Sequence, residues 1–200
     1  LNLGKFDAFF NQLFSVYPTA LIADQLIVPV LENLNQEAFG NSIKKAILIN
    51  RLSEYLLMLS HRQRQQAKGK RVAIIQLNTA VNPLLNVLLQ YGLTMNQIKS
   101  ELLGVVSVAE VVVAAEQLAL DGFVVFNDSC SSLGEFQKEL IQLTQTTSLP
   151  IIVGGRLVHV LTSELPSNVH LAPNERQQDV MDILNTIFPD DVLGEIQDED

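Results

Sequence analysis

The stretch that decides the fold is Arg71-Val-Ala-Ile-Ile-Gln-Leu-Asn-Thr-Ala-Val-Asn-Pro83. Residues 71–77 read as a buried strand, since the run Val72–Ile75 is apolar without alternation. Asn82-Pro83 then opens a helix, because proline suits the first helical turn, and Gly92 is read as its end. Strand, loop and helix make the opening unit of a parallel sheet, where the loop after the first strand is a usual ligand site. Yet residues 78–83 hold no His, Gly, Lys or carboxylate. A phosphate loop needs glycines so that the backbone can approach, and a metal needs an imidazole, thiolate or carboxylate. The place for function is there and its usual chemistry is not.

Downstream, strand and helix alternate. Strands are expected at 71–77, near 97–103, at 123–127, 150–153 and 168–171. Gln97-Ile-Lys-Ser-Glu-Leu-Leu has the least β character of the five. Ser107-Val-Ala-Glu110 and Ser132-Leu-Gly-Glu135 fit the capping box, in which Ser and Glu satisfy free backbone N–H groups at a helix start. Pro173-Asn174 precedes a last helix with Val180, Ile183, Leu184 and Ile187 on one face. Five strands with interposed helices predict a doubly wound parallel sheet of flavodoxin-like (Rossmann-like) type, in strand order 2-1-3-4-5.

Upstream, only helices are expected. Phe6, Phe9, Phe10, Leu13 and Phe14 follow an amphipathic stripe. Tyr17-Pro18 breaks it, and a second helix runs to about Leu34 with Pro29 predicted to kink it. Asn35–Asn41 is a polar connection. A third helix, Ser42 to about Arg64, is apolar on nearly every side around Ala46–Ile49 and Leu56–Leu59, so neighbours or another protein must cover it. The polar, basic run Gln63–Lys70 marks a boundary. The expected organisation is a helical bundle at 1–66, an α/β domain at 67–189 and an acidic tail at 190–200.

Nearly half the residues are hydrophobic, which excludes a disordered chain. No apolar run is long enough to span a membrane. Leu1 is not an initiator Met and no signal-peptide pattern follows it, so the chain reads as a fragment. Cys130 is the only cysteine, which excludes an internal disulfide and fits a reducing cytoplasm. The net charge of -9 argues against broad phosphate-backbone binding. Arg62, Arg64, Lys68, Lys70 and Arg71 do cluster, but as a solvated helix end running into a linker.

The order of parts, about sixty helical residues and then a five-stranded sheet, resembles the cobalamin-binding module of some methyltransferases, mutases and MerR-family transcription regulators. Three stretches carry the likeness. Leu26-Ile-Val-Pro-Val-Leu-Glu-Asn-Leu is similar to the second bundle helix of the regulators, and Asn50-Arg-Leu-Ser-Glu-Tyr-Leu-Leu-Met-Leu to the end of their long helix. Phe123-Val-Val-Phe-Asn-Asp-Ser-Cys-Ser-Ser-Leu followed by Ile151-Ile-Val-Gly-Gly resembles the family's serine loop and Gly-Gly turn. The resemblance implies a pocket lined by Asn78, Thr79, Asn82, Ser129, Ser131, Gly154 and Gly155. It departs where cobalt would be held. The family's Asp-x-His-x-x-Gly is replaced by Asn78-Thr-Ala-Val-Asn-Pro83, and the Trp and Glu-His pair of light-responsive members are missing from a chain without tryptophan. Cobalamin binding is therefore not expected, and no other cofactor is assigned.

The remaining candidates carry little chemistry. Ser132 reads first as a helix cap, while Gly154-Gly155 fits a ligand's flat face or a tight turn equally. Cys130 has no His near in sequence. His61, His159 and His170 lack metal-ligand spacing. Asp128 lacks the acidic pair and the Lys that a phosphate-accepting receiver domain needs. The reading is a sensory or oligomerisation module of a MerR-like regulator, not an enzyme, with no catalytic residue and no metal site. A homo-oligomer is expected, DNA contact only through a missing N-terminal helix-turn-helix, no membrane, and an unidentified small-molecule effector. Its rivals are a corrinoid carrier domain of a methyltransferase or mutase, and a pseudo-receiver or interaction scaffold.

Overall fold

In a computed structural model that describes residues 3–64, 67–77, 83–127, 130, 132–161 and 165–189, β1 (Arg71–Gln76) forms the centre of the molecule. Val72–Gln76 are all buried, as an unbroken apolar run requires. Beside β1 lie β2 (Lys99–Val105) and β3 (Gly122–Phe126), followed by β4 (Ile151–Gly154) and β5 (Val169–Leu171). Every pairing is parallel and the order is β2-β1-β3-β4-β5. The expected fold class and strand order are both present.

The strand with least β character is the edge strand β2, set two residues later than its sequence suggests. Ile74 pairs with Leu102 but Ile75 pairs with Gly104, leaving Leu103 as an extra residue. Gly104 takes φ +72°, where a side chain would be strained. An edge needs only one face to pack, and a bulge there bends the strand and interrupts its ladder.

The side chains of β1 alternate between two cores. Val72 and Ile74 join Val124, Phe126 and Ile152 on one face, whereas Ala73 and Ile75 join Phe123, Val125, Ile151 and Val153 on the other. The second face is covered by α6 (Val108–Leu118) and α7 (Leu133–Thr146). The first is covered by α5 (Pro83–Met95) and α8 (Gln177–Ile187), and beyond them by an outer layer of helices. That layer comprises α1 (Leu3–Val16), α2 (Thr19–Ile22), α3 (Val28–Leu34) and α4 (Asn41–Arg64). Bundle and sheet thus share one continuous hydrophobic core, with Phe10, Ile27, Leu52 and Leu56 in the same cluster as Ile74, Leu88 and Leu184.

One expectation needs correction. Gly92 does not end its helix, because α5 runs on to Met95. A Cβ at Gly92 would meet the flexible end of the Met181 side chain, so this glycine lies where α8 approaches α5 closely. Next to Pro29, where a kink is expected, the helix changes its winding. A π-turn, Ala23–Ile27, joins α2 to α3, and Val28 N–H donates to the Ala23 carbonyl. Proline has no N–H to donate to the residue four before it, and the wider turn accommodates that loss. Within this chain α4 is covered along one face. It buries the stripe Leu48, Leu52, Leu56 and Ser60, while Ile43, Leu57 and Met58 remain exposed. Among the described residues, no helix is long and apolar enough to cross a membrane.

Candidate functional site

The C-terminal ends of β3, β4 and β5 meet the outer helical layer around a cavity of about 350 Å³. Its walls come from both parts. Asp24 and Val28 belong to the helical layer; Leu85, Phe126, Arg156, His159 and residues 174–177 belong to the α/β part. Ligand sites in open α/β sheets lie at this carboxyl edge.

Asp24 owes its place to the π-turn. Its Oδ1 accepts the backbone N–H of Gln177 at 3.3 Å, the first residue of α8. Arg176, which precedes that helix, supplies no side-chain cap of its own. The helical layer therefore caps a helix of the sheet domain, which joins the two parts by a charge-assisted hydrogen bond. Burial raises the Asp24 pKa above its ordinary 3.8, Gln177 N–H and the Arg176 charge oppose the rise, and Asp179 adds to it.

A second link runs across the rim. Arg156, directly after the Gly-Gly turn, pairs with Glu32 of α3, and its Nε donates to Glu175 Oε2 at 3.1 Å. His159 Nε2 lies 3.6 Å from Glu175 Oε1. These side chains are about half exposed, so each pair contributes roughly 0–1 kcal/mol and mainly holds the rim in register. Deeper in, Gln177 donates from Nε2 to the Leu85 carbonyl at 2.8 Å, while its Oε1 has no partner among the described residues. Asn127, fully buried at the end of β3, likewise has both side-chain amide atoms unbonded among the described residues. Buried polar atoms of this kind are few in native proteins.

Of the pocket residues expected from the sequence, Asn78, Thr79, Asn82, Ser129 and Ser131 lie outside the described residues, as does Asp128. Gly154 ends β4 and Gly155 follows it, both buried and neither lining the cavity. A Cβ on Gly154 would sit 2.5 Å from Val180 Cγ2 and 2.8 Å from Phe126 Cδ2, so the space beside it is filled by this chain's own core. Gly155 has φ +83° and ψ -174°, and a Cβ there would meet the Asn127 carbonyl oxygen at 2.5 Å. Of the two readings left open for this pair, the tight turn accounts for the geometry. Ser132 caps α7, accepting Glu135 N–H at 3.4 Å. Cys130 is half-buried against the second core. His61 is exposed at the end of α4 and His170 lies in β5, and among the described residues no group of three or more His, Cys, Asp or Glu is placed to hold a metal ion.

The cavity's small size bears on cobalamin. A corrinoid exceeds the drug-sized ligands that occupy pockets of about 300–1,000 Å³, and this cavity lies at the bottom of that range. Arg156, held between Glu32 and Glu175, also bridges the layers that a corrin ring would have to separate. The described residues do not fit that group. The residues that do form the cavity, Asp24, Arg156, Glu175, Arg176 and Gln177, were not singled out in the sequence. The available signal was positional: an arginine just after a strand-ending Gly-Gly, and a charged pair just before a helix start. A comparison with protein-family models and with curated proteins finds no match to this chain.

Proposed function

We propose that this chain is a sensory and oligomerisation module of a MerR-like transcription regulator that no longer binds cobalamin, its DNA-reading helix-turn-helix lying ahead of residue 1. One observation carries the reading. A helical layer of some sixty residues is seated on a flavodoxin-like sheet, and a cavity opens where the two meet at the sheet's carboxyl edge. A ligand in that position touches both layers, so its binding energy acts on how they fit together. The outer layer also presents apolar side chains to solvent, among them Phe9, Phe39, Ile43, Leu57 and Met58. An exposed apolar surface of this kind suits self-association, for which closed dimers are the commonest outcome.

Sedimentation equilibrium and gel shift test the proposal together. The chain is expected to sediment as an oligomer at about tens of micromolar, and Leu57→Glu or Met58→Glu to shift it toward monomer with circular dichroism unchanged. The chain alone is expected to leave duplex DNA unshifted at physiological salt, while the longer protein shifts it. A wild-type monomer would remove the oligomerisation role, and equal DNA binding by both proteins would remove the regulator reading. Equilibrium dialysis against methyl- and adenosylcobalamin should show no retention at about micromolar concentration.

A further inference from the structure

We infer that the cavity at the carboxyl edge is a binding site for a small zwitterion, an α-amino acid with an apolar side chain, held between Arg176 and Asp24. The argument begins with which charges are already committed. Arg156 is engaged by Glu32 and Glu175. Arg176, on the same wall, has no carboxylate within ion-pair distance among the described residues, which leaves its guanidinium for an anionic group. Asp24 is partly buried and takes backbone N–H groups from Gln177 and Gln178, with Arg176 near enough to attract its carboxylate without forming an ion pair, so the carboxylate retains capacity for a cationic donor. Gln177 adds a second acceptor, since its Oε1 is unpartnered among the described residues and the side chain is almost wholly buried.

Two opposite charges that attract each other without forming an ion pair select a ligand that carries both. A simple anion at Arg176 would repel the Asp24 carboxylate beside it, and a simple amine at Asp24 would repel the guanidinium. Between them Val28, Leu85 and Phe126 offer an apolar surface. A volume of about 350 Å³ suits a molecule of few heavy atoms. An α-amino acid matches each element: carboxylate toward Arg176, ammonium toward Asp24 and Gln177 Oε1, side chain toward Phe126. Because Asp24 belongs to the helical layer and Arg176 to the sheet domain, such a ligand bridges the two. What that bridge would regulate rests on the sensory reading above; the binding itself does not.

The test is isothermal titration of the whole chain with the proteinogenic amino acids at up to about 10 mM, followed by the best binder's des-amino and decarboxylated analogues. At least one amino acid with an apolar side chain is expected to bind, and either analogue to bind at least about tenfold more weakly. Arg176→Gln, an exposed substitution, should weaken binding by at least about tenfold with circular dichroism and melting unchanged. Asp24→Asn keeps an acceptor for the α8 cap and should weaken it similarly. Absence of binding by any amino acid overturns the inference, as does binding that both variants retain or that a singly charged analogue matches. These readouts involve no DNA, so a negative titration leaves the regulator reading to the gel shift, and a positive one stands even if that reading fails.

Discussion

The two faces of the sheet are covered to different depths, and their helices record it. On one face α5 lies between the sheet and the outer layer, and every residue from Leu84 to Thr94 is buried. On the other, α6 and α7 have solvent behind them and bury only one side each, with Val113 and Ile141 exposed. A helix with one neighbour keeps a polar face, whereas a helix with neighbours on two sides has nowhere to put one. Two of the polar residues that α5 carries are bonded within the core: Gln90 donates to the Ser100 carbonyl at 3.1 Å, and Thr94 donates to the Gln90 carbonyl at 2.8 Å. Asn86 is buried too, yet neither of its amide atoms has a partner among the described residues. Sandwiching a helix therefore takes its polar positions away from solvent and makes each depend on a partner inside the core.

The largest effect should come from comparing equivalent deletions on the two faces. Leu88→Ala in α5 is expected near the top of the range of about 2–5 kcal/mol for such truncations, and Leu140→Ala in α7 near the bottom. Both side chains are fully buried, but only α7 has a free side toward which it can relax. Equal losses in urea unfolding would break the comparison. At the carboxyl edge, Gly155→Ala should cost at least about 1–3 kcal/mol from its backbone conformation alone, with the clash against Asn127 added. A neutral result in the same assay would mean that the turn can be rebuilt.

On the thinner face, Ser107→Ala should cost about 1 kcal/mol in the same assay, since it removes one half of a complete capping box. Its Glu110 partner is held below its ordinary 4.5 by hydrogen bonds from the Ser107 side chain and backbone. That contribution is present above 4.5 and fades as pH falls through the lowered value, so the variant should lose least in acid. Asp24 on the thicker face has the opposite sign. Burial raises its pKa, so its contribution is full below 3.8 and is lost as pH rises through the raised value. Asp24→Asn should flatten the melting temperature as pH rises above 3.8, a smaller effect than the others, and an unchanged slope would remove this account of Asp24.

How far these features were legible depends on the range of the physics involved. The strands and their order followed from unbroken apolar runs and short connections, which are local. Gly92 misled because a glycine inside a helix pattern suits a stop and a close approach equally, and only Met181, on another helix, distinguishes them. The α4 stripe was half legible: its abundance of apolar residues was plain, but which of them point inward is decided by α5. The cavity was not legible at all. Asp24 and Gln177 are 153 residues apart, and no periodicity in either segment announces that one caps the other. Asn78, Thr79, Asn82, Ser129 and Ser131, expected to line a pocket, fall outside the described residues.

The π-turn at Ala23–Ile27 has a consequence for how this helix tolerates change in length. Such a turn houses one residue more than a regular helix would in the same rise, and each residue rotates the chain by about 100°. Ile22 and Ile27, five apart, consequently reach the same core. Removing one residue here would restore a regular helix and leave the segment after Pro29 in place, but it would turn everything before it, Asp24 included, away from α8. The outer layer is thus indexed to the sheet by a single surplus residue, a setting that insertion or deletion alters in whole steps and point substitution cannot.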